Sequence, residues 1–373
     1  MNNLKRFALA LVFGFSHSLT AQTSECAAIV GGIPMKMKAV GYTVNLPITE
    51  PDALVDFSVD IARLHERDIR VHVKAISVNP VDTKQRKRKA ATDAKPVILG
   101  YDAAGVVEAV GPGVTRFKIG DEVYYAGEIG RDGSNSEWQA VDERLVAKKP
   151  RSLTFAEAAS VPLTALTAYE GIFRQLGVPE SGDLSQRTLL VIGGAGGVGS
   201  MAIQIAKLAG LKVIATASRP ETIGWVKEMG ADAVLDHRNP LASQLNAMGM
   251  AQVNYIFNTA DTSGYWNQMA ELIKPFGRIV SIVESSQPVD LTQLMLKSAS
   301  FSWELMFTHS LYQTPEMDSQ GEALARVAEW MDEKRLRPTL TETLSPINAA
   351  NLKAAHALLE SGKGRGKIVL QDW

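Results

Sequence analysis

The run Gly194-Ala195-Gly196-Gly197-Val198-Gly199 decides the fold. It follows an apolar stretch, Thr188 to Ile192, and opens a segment in which Val198, Ala202, Ile205, Ala206 and Ala209 recur at helical spacing as far as Gly210. Strand, glycine turn and helix in that order make a unit whose turn can touch a ligand. Glycine permits the tight bend, and the missing side chains let backbone approach a pyrophosphate. The helix start adds unpaired N–H groups and a partial positive charge. Gly194, Gly196, Gly197, Val198 and Gly199 are therefore expected to hold a dinucleotide. The plainer reading is a turn that only packs helix on strand.

Moving outward, strand and helix patterns alternate. Lys212 to Ala217, Ala233 to Asp236, Val253 to Asn258 and Arg278 to Val283 read as strands, with helices over Glu221 to Met229 and Ser263 to Lys274. Such alternation predicts an α/β fold with a doubly wound parallel sheet covered on both faces. The second strand ends at Ser218-Arg219, where an NAD site would place an acid on the ribose 2′-hydroxyl. A hydroxyl and a guanidinium suit a 2′-phosphate instead, so Ser218 and Arg219 point to NADPH. An arginine merely exposed at a strand end is the competing reading. Asn258 and Thr259 close another parallel strand, at the edge where ligands bind.

Before the glycine turn the pattern is mainly strand. Ile69 to Val78, Ala104 to Val110 and Glu122 to Tyr125, punctuated by Gly100, Gly105, Gly111, Gly113 and Gly120, predict a compact, partly open barrel. Arg86 to Lys89 reads as a solvated basic loop. Thr154 with Glu157 has the form of a capping box opening a short helix that Pro162 interrupts, and a second helix runs from Thr164 to Leu176. Toward the C-terminus, helices are expected over Glu322 to Lys334 and Asn348 to Glu360, then a last strand, Lys367 to Leu370.

Five segments in order now carry a resemblance. They are Val78-Asn79-Pro80-Val81-Asp82, Gly100-Tyr101-Asp102-Ala103-Ala104-Gly105-Val106-Val107, Val161-Pro162-Leu163-Thr164-Ala165-Leu166-Thr167-Ala168-Tyr169, the glycine turn, and Gly366-Lys367-Ile368-Val369-Leu370. From about Met37 onward the chain resembles the medium-chain dehydrogenase/reductase superfamily, in particular its quinone oxidoreductase branch and the zinc-type alcohol dehydrogenase-like proteins. The resemblance implies a GroES-like, partly open β-barrel catalytic domain made of residues 37–162 and 305–373, with a Rossmann domain over 163–304 and residues 1–36 as an extension. It places Thr164, Thr167 and Lys367 near the cofactor cleft. It makes Tyr101 the hydrogen-bond or proton donor to a nascent oxyanion and Asn79 the group that orients the acceptor. A locally satisfied core tyrosine and helix-packing threonines are the competing readings. Asp82 is expected to brace the Asn79 loop. Phe301, Trp303, Met306 and Phe307 either line an apolar acceptor pocket or belong to the core or a dimer contact. A homodimer through the sheet edge near Arg278 to Val283 is also implied.

The departures from that family bear on the chemistry. Its catalytic zinc is held by Cys, His and Cys, and the corresponding positions here are Asn79, Tyr101 and Leu163. The single cysteine, Cys26, excludes an intrachain disulfide and a four-cysteine zinc lobe, and the six histidines have no metal-ligand spacing. Zinc is not expected. Without a Lewis acid the acceptor must delocalise incoming charge itself, which favours a quinone or an unsaturated carbonyl as substrate. Two rivals stand beside this: a zinc-dependent alcohol dehydrogenase, and a non-catalytic NADPH binder acting as redox sensor or structural protein.

Composition bounds the partners. With 46% hydrophobic and 21% charged residues and a net charge of −1, the 373-residue chain is globular, and neither nucleic acid nor an anionic membrane is an expected partner. Lys5 and Arg6, the apolar run Phe7 to Phe15 and the polar stretch Ser16 to Gln22 have the form of a weak secretory signal, too short to span a bilayer. A plain extension, or translation beginning at Met35 or Met37, competes with export, and the later start is the reading favoured. The expected compartment is the cytoplasm.

Overall fold

Strands dominate the first part of the computed structural model, which describes residues 36–90 and 95–373. The signal-like segment, Cys26 and His17 lie outside those residues. The strands are β1 (Lys36–Tyr42), β2 (Val55–Asp60), β3 (Asp68–Ser77), β4 (Val97–Ile98), β5 (Asp102–Val110), β6 (Glu122–Tyr125), β7 (Trp138–Asp142) and β8 (Val146–Lys148), and the one α-helix among them is α1 (Pro80–Arg88). In β3 the buried Ile69, Val71 and Val73 alternate with half-buried neighbours, the signature of a strand with one face on a core.

Two helices then lead into the second region. Thr154 caps α2 (Phe155–Ala159), its Oγ1 accepting from the Glu157 N–H at 3.2 Å while Glu157 Oε2 accepts from the Thr154 N–H at 2.9 Å. Pro162 interrupts the helix by opening α3 (Pro162–Tyr169) at its first turn, where no N–H is needed. A π-helical turn, Glu170–Gln175, follows and stops before Gly177, whose φ is 59°.

From there strand and helix alternate: β9 (Thr188–Ile192), α4 (Gly197–Leu208), β10 (Lys212–Thr216), α5 (Pro220–Glu228), β11 (Ala233–Leu235), α6 (Leu241–Ala247), β12 (Val253–Asn258), α7 (Thr262–Leu272), β13 (Ile273–Ser281) and β14 (Ser300–Trp303). They build an all-parallel sheet of six strands, ordered β11-β10-β9-β12-β13-β14. Every residue of β9 is buried, as an apolar strand covered on both faces must be. The chain winds from β9 outward to β11, then returns to the other side of β9 and winds outward to β14. In an open α/β sheet such a reversal is where a ligand crevice is expected, here at the carboxyl ends of β9 and β12.

The remaining elements are α8 (Thr308–Tyr312), α9 (Asp318–Asp332), β15 (Leu340–Leu344), α10 (Ala349–Glu360) and β16 (Lys367–Gln371). β16 pairs antiparallel with β3, so the C-terminal strand completes a seven-stranded sheet begun by the N-terminal half, ordered β15-β16-β3-β5-β6-β8 with β7 also on β3. The fold is α/β, a GroES-like strand-rich region built from both chain ends around a Rossmann-like parallel sheet.

Two expectations are corrected here, and one left between two readings is divided. Arg86 is not in a solvated loop but in the last turn of α1, with its guanidinium wholly buried against the Leu46 carbonyl and, at 2.6 Å, Glu360 of α10. A charge run reads as solvated unless the fold supplies partners, and this one does. Arg278 to Val283 is not the sheet edge, because the short strand β14 pairs alongside β13 and takes the outer place. Phe301, Trp303, Met306 and Phe307 do not line one pocket. Phe301 and Trp303 border a cleft of about 400 Å³ beside β14, whereas Met306 and Phe307 are buried in the core.

Candidate functional site

Three strand ends meet at the glycine turn. Gly193 takes a left-handed φ of 83°, and its N–H donates to Oγ1 of Thr216, the last residue of β10, at 2.9 Å. Thr259 Oγ1, beyond β12, donates to the Ile192 carbonyl at 2.8 Å and lies 3.1 Å from that of Gly193. A Cβ on Gly199 would lie 2.3 Å from the Gly193 carbonyl oxygen, and one on Gly194 would lie 2.9 Å from Ala215 Cβ. Both glycines are thus required for packing α4 onto the sheet. Gly196 is different: it is exposed, and a Cβ there would meet nothing nearer than the Gly193 carbonyl oxygen at 3.7 Å. No neighbouring atom demands glycine at 196, so its bare backbone is the part of the turn a phosphate could approach. Gly197 and the half-buried Val198 begin α4, whose first N–H groups have no partner inside the helix.

The turn is closed on its other side by the C-terminal strand. A Cβ on Gly197 would come within 2.9 Å of both Lys367 Cδ and Thr164 Cγ2. The Gly366 N–H donates to the Ala195 carbonyl at 2.9 Å. Lys367, only 3% exposed, extends past the turn into the strand-rich region. Its ammonium donates to the Val78 carbonyl at 2.9 Å, to Asp102 Oδ2 at 3.0 Å and to Asn79 Oδ1. Asn79 Nδ2 donates in turn to Asp102 Oδ2 at 2.8 Å and to the Ser77 carbonyl at 3.4 Å. Asp102 Oδ1 accepts the Leu163 N–H, in the first turn of α3, at 2.7 Å. Asp82 behaves as a brace: Oδ2 accepts from the Asn79 N–H at 2.8 Å and Oδ1 from the Gly100 N–H at 3.1 Å. Burial pushes Asp82 up to about 7 against the opposing pull of those N–H groups and of Lys367.

The other residues singled out from sequence fall into two sets. Near the turn are Thr164, Thr259 and Lys367, while Thr167 lies further along α3. The hydroxyls of Thr164 and Thr167 donate back to the carbonyls of Val161 and Leu163 at 3.0 and 2.8 Å, leaving their lone pairs as acceptors. Ser218 and Arg219 follow β10, with Arg219 Nε 2.8 Å from Glu221 and its Nη2 donating to the Lys363 carbonyl at 2.9 Å. Asn258 stands apart. Wholly buried, it donates to the Ala260 carbonyl at 3.1 Å and to Ser281 Oγ at 3.0 Å, and accepts from the Ala260 N–H, so its amide is used in bracing strand ends. Asn79 is likewise hydrogen-bonded within the protein, where it links Lys367 to Asp102.

Sequence reading assigned no role to Asp102 or Arg238, and left Phe307 between pocket and core. An acid opening an apolar strand was the available signal for Asp102. Arg238 reaches back to the end of β10 to donate to the Ser218 carbonyl at 3.0 Å, a contact no spacing rule announces. Tyr101 sits with its ring centroid 5.0 Å from that of Phe307. Among the described residues no hydrogen bond joins its hydroxyl, and burial, reinforced by the Asp82 charge, raises its pKa strongly. The phenol keeps its proton at any ordinary pH and can donate it into a hydrogen bond.

The same atoms bear on whether zinc fits. An amide, a phenol and an aliphatic side chain stand at 79, 101 and 163, and the Lys367 ammonium already occupies Asn79 and Asp102. Among the described residues no group of three or more His, Cys, Asp or Glu could hold a metal ion. This donor set does not fit a tetrahedral zinc centre.

Comparison with known proteins gives the family. The zinc-binding dehydrogenase family model matches residues 197–320, and that of the alcohol dehydrogenase GroES-like domain matches residues 65–151. The chain is 42% identical over 335 residues to a zinc-type alcohol dehydrogenase-like protein of Staphylococcus epidermidis, covering 90% of this chain and 99% of that protein. It is 30% identical to an NADPH-dependent alkenal/one oxidoreductase of Arabidopsis thaliana, over 95% of this chain and 85% of that one. A crystal structure from Rhizobium etli CFN 42, described as that of a putative zinc-dependent alcohol dehydrogenase protein, superposes with a TM-score of 0.87 at 48% identity, over 91% and 99% of the two chains. With the crevice, the turn and the two-ended strand-rich region in place, the chain belongs to the medium-chain dehydrogenase/reductase superfamily of nicotinamide-dependent oxidoreductases, beside the zinc-type alcohol dehydrogenase-like proteins.

Proposed function

We propose that this protein is a zinc-independent, NADPH-dependent reductase of quinones, enones or similarly activated carbonyl compounds. The observation that carries the reading is the glycine turn: bare at Gly196, and packed at Gly197 against Thr164 and Lys367, the residue whose ammonium fills the interior at Asn79 and Asp102. NADPH would rest its pyrophosphate on Gly194 to Gly199 and the start of α4, with Ser218, Arg219 and the neighbouring Arg238 facing the 2′-phosphate. Thr164, Thr167 and Thr259 would border the nicotinamide. The cofactor's own chemistry is hydride donation.

The chain's part is to orient and to stabilise charge. Tyr101 donates a hydrogen bond to the acceptor oxygen, where negative charge gathers as the hydride arrives. Phe307 backs the Tyr101 ring and keeps water from that side. An acceptor that spreads its own charge needs no metal beyond this donor. The activity named for the Arabidopsis relative, reduction of alkenals and enones with NADPH, is of the same kind.

We also propose a homodimer contact at β14, where Trp303 and the nearby Leu305, Leu296 and Met295 are exposed beside a strand edge that has no partner among the described residues. Among the described residues no helix is long and apolar enough to cross a membrane, and the cytoplasm is the compartment that suits the cofactor.

The test is a titration of purified protein with NADPH and NADH, then turnover with 1,4-benzoquinone, an alkenal and a saturated aldehyde, with zinc measured on the same sample. NADPH binding tighter by about tenfold or more, from the charged contacts to one phosphate, and turnover confined to the first two acceptors are expected. Equal affinity for both nucleotides, or activity that tracks bound zinc, defeats the reading.

A further inference from the structure

Asp102 gathers four distant parts of the chain on one carboxylate. Its own residue opens β5 directly after Tyr101, Oδ1 holds the Leu163 N–H of α3 at 2.7 Å, and Oδ2 holds both Asn79, at the head of α1, and Lys367, at the start of β16. The carboxylate is wholly buried and Lys367 nearly so. All three ammonium protons are used, on Val78, Asn79 and Asp102. From Asp102 two short paths lead to the glycine turn. One runs through the Lys367 stem to Gly197, and the other through Leu163 to Thr164, whose methyl group meets Gly197 at the same built-Cβ distance of 2.9 Å.

We propose that Asp102 is a positioning residue: with Lys367 it fixes the separation between the nucleotide turn and Tyr101, and so between hydride donor and acceptor. This deepens the reductase reading and rests on it. A buried ion pair is weak evidence of a stabilising role, because apolar groups of similar volume can fill such a space as well. What apolar groups cannot supply is direction. Each oxygen of Asp102 and each proton of Lys367 specifies one partner along one line. Loss of the pair is therefore expected to show in catalytic geometry even where stability is kept.

The experiment compares wild type with Lys367→Met, Asp102→Asn and the double variant Asp102→Asn/Lys367→Met. Each is assayed for thermal midpoint, NADPH dissociation constant by calorimetry, and kcat and KM with 1,4-benzoquinone. Asp102→Asn strands a buried ammonium and loses stability. The double variant, with no charge left, is expected to melt within a few degrees of wild type. Its kcat at saturating NADPH is expected to remain about tenfold to a hundredfold down, the scale set by small misplacement of reacting groups, with benzoquinone KM changed far less. Lys367→Met keeps length and apolar stem and leaves the Asp102 carboxylate its donors from Leu163 and Asn79, so it is expected to lose less stability with the same loss of kcat, and it keeps the proposal testable should Asp102→Asn fail to fold. Recovery of kcat in step with the thermal midpoint in the double variant would overturn it, since that is what a purely structural pair would do. Wild-type protein that binds no NADPH would instead bring down the cofactor reading itself, a distinguishable result.

Discussion

Tyr101 shows how a single side chain acquires a role from its surroundings. Its neighbours Phe307 and the buried Asp82 both disfavour a phenolate, the first by excluding water and the second by charge. A phenol so placed serves as donor and not as base. Tyr101→Phe keeps the ring, and therefore the packing on Phe307, while deleting the donor proposed for the acceptor oxygen. Its kcat with 1,4-benzoquinone is expected to fall about a hundredfold, within the range for loss of one oxyanion donor, with the NADPH dissociation constant unchanged. Undiminished turnover would leave Tyr101 a core residue. Asn79 illustrates the reverse case. Its side chain is of the right type to orient an acceptor, yet each of its polar atoms is already engaged inside the protein.

At the scale of elements, the segment after β14 is held by an unusual pair. Glu304 and Glu170 lie together between the π-helical turn, α8 and α9, faced by Gln175 (3.1 Å from Glu304), Gln320 (3.4 Å from Glu170), Arg174 (3.6 Å from Glu170) and, beside that arginine, His309. One oxygen of Glu304, Oε1, is buried with no donor, which a proton shared with Glu170 would satisfy. Burial first, and the Glu170 charge second, raise Glu304 far above the usual carboxyl range. The native state therefore keeps a proton that the unfolded chain has lost, and by linkage its stability falls as pH rises through that interval. Glu304→Gln supplies the shared hydrogen at every pH. It is expected to be more stable than wild type by about 1–3 kcal/mol near pH 8, a share of the linkage cost of the proton that the wild type takes up on folding, and to converge with it near pH 4. Urea unfolding at the two pH values decides this, and equal stability at pH 8 would contradict the shared proton.

For the whole molecule, one group of exposed apolar residues lies around β14. Leu291, Met295, Leu296, Trp303 and Leu305 are each at least half exposed, beside a strand whose outer edge has no partner among the described residues. A single chain rarely leaves such an edge uncovered. Trp303→Lys places a charge on it and is expected to shift the mass measured by light scattering from that of two chains to that of one, with the circular dichroism spectrum unchanged. Wild-type protein that is monomeric at every concentration would remove the contact.

Much of this was legible beforehand because it is written at short range. An apolar run, a glycine turn and a 3.6-residue stripe lie within 25 residues of one another, so Thr188 to Gly210 declared strand, turn and helix, and Thr154 with Glu157 declared a helix start. Local spacing fixes local conformation, since the atoms that interact are neighbours along the chain. The strand order, the place of β14 outside β13, the burial of Arg86 against Glu360 and the convergence of Asn79, Asp102 and Lys367 were decided only by tertiary packing. Lys367 and Asp102 are 265 residues apart, and nothing in either neighbourhood says that one will neutralise the other. A buried charge is tolerated only where the fold brings it a partner, and which partner that is depends on how sheets and helices close around a common core.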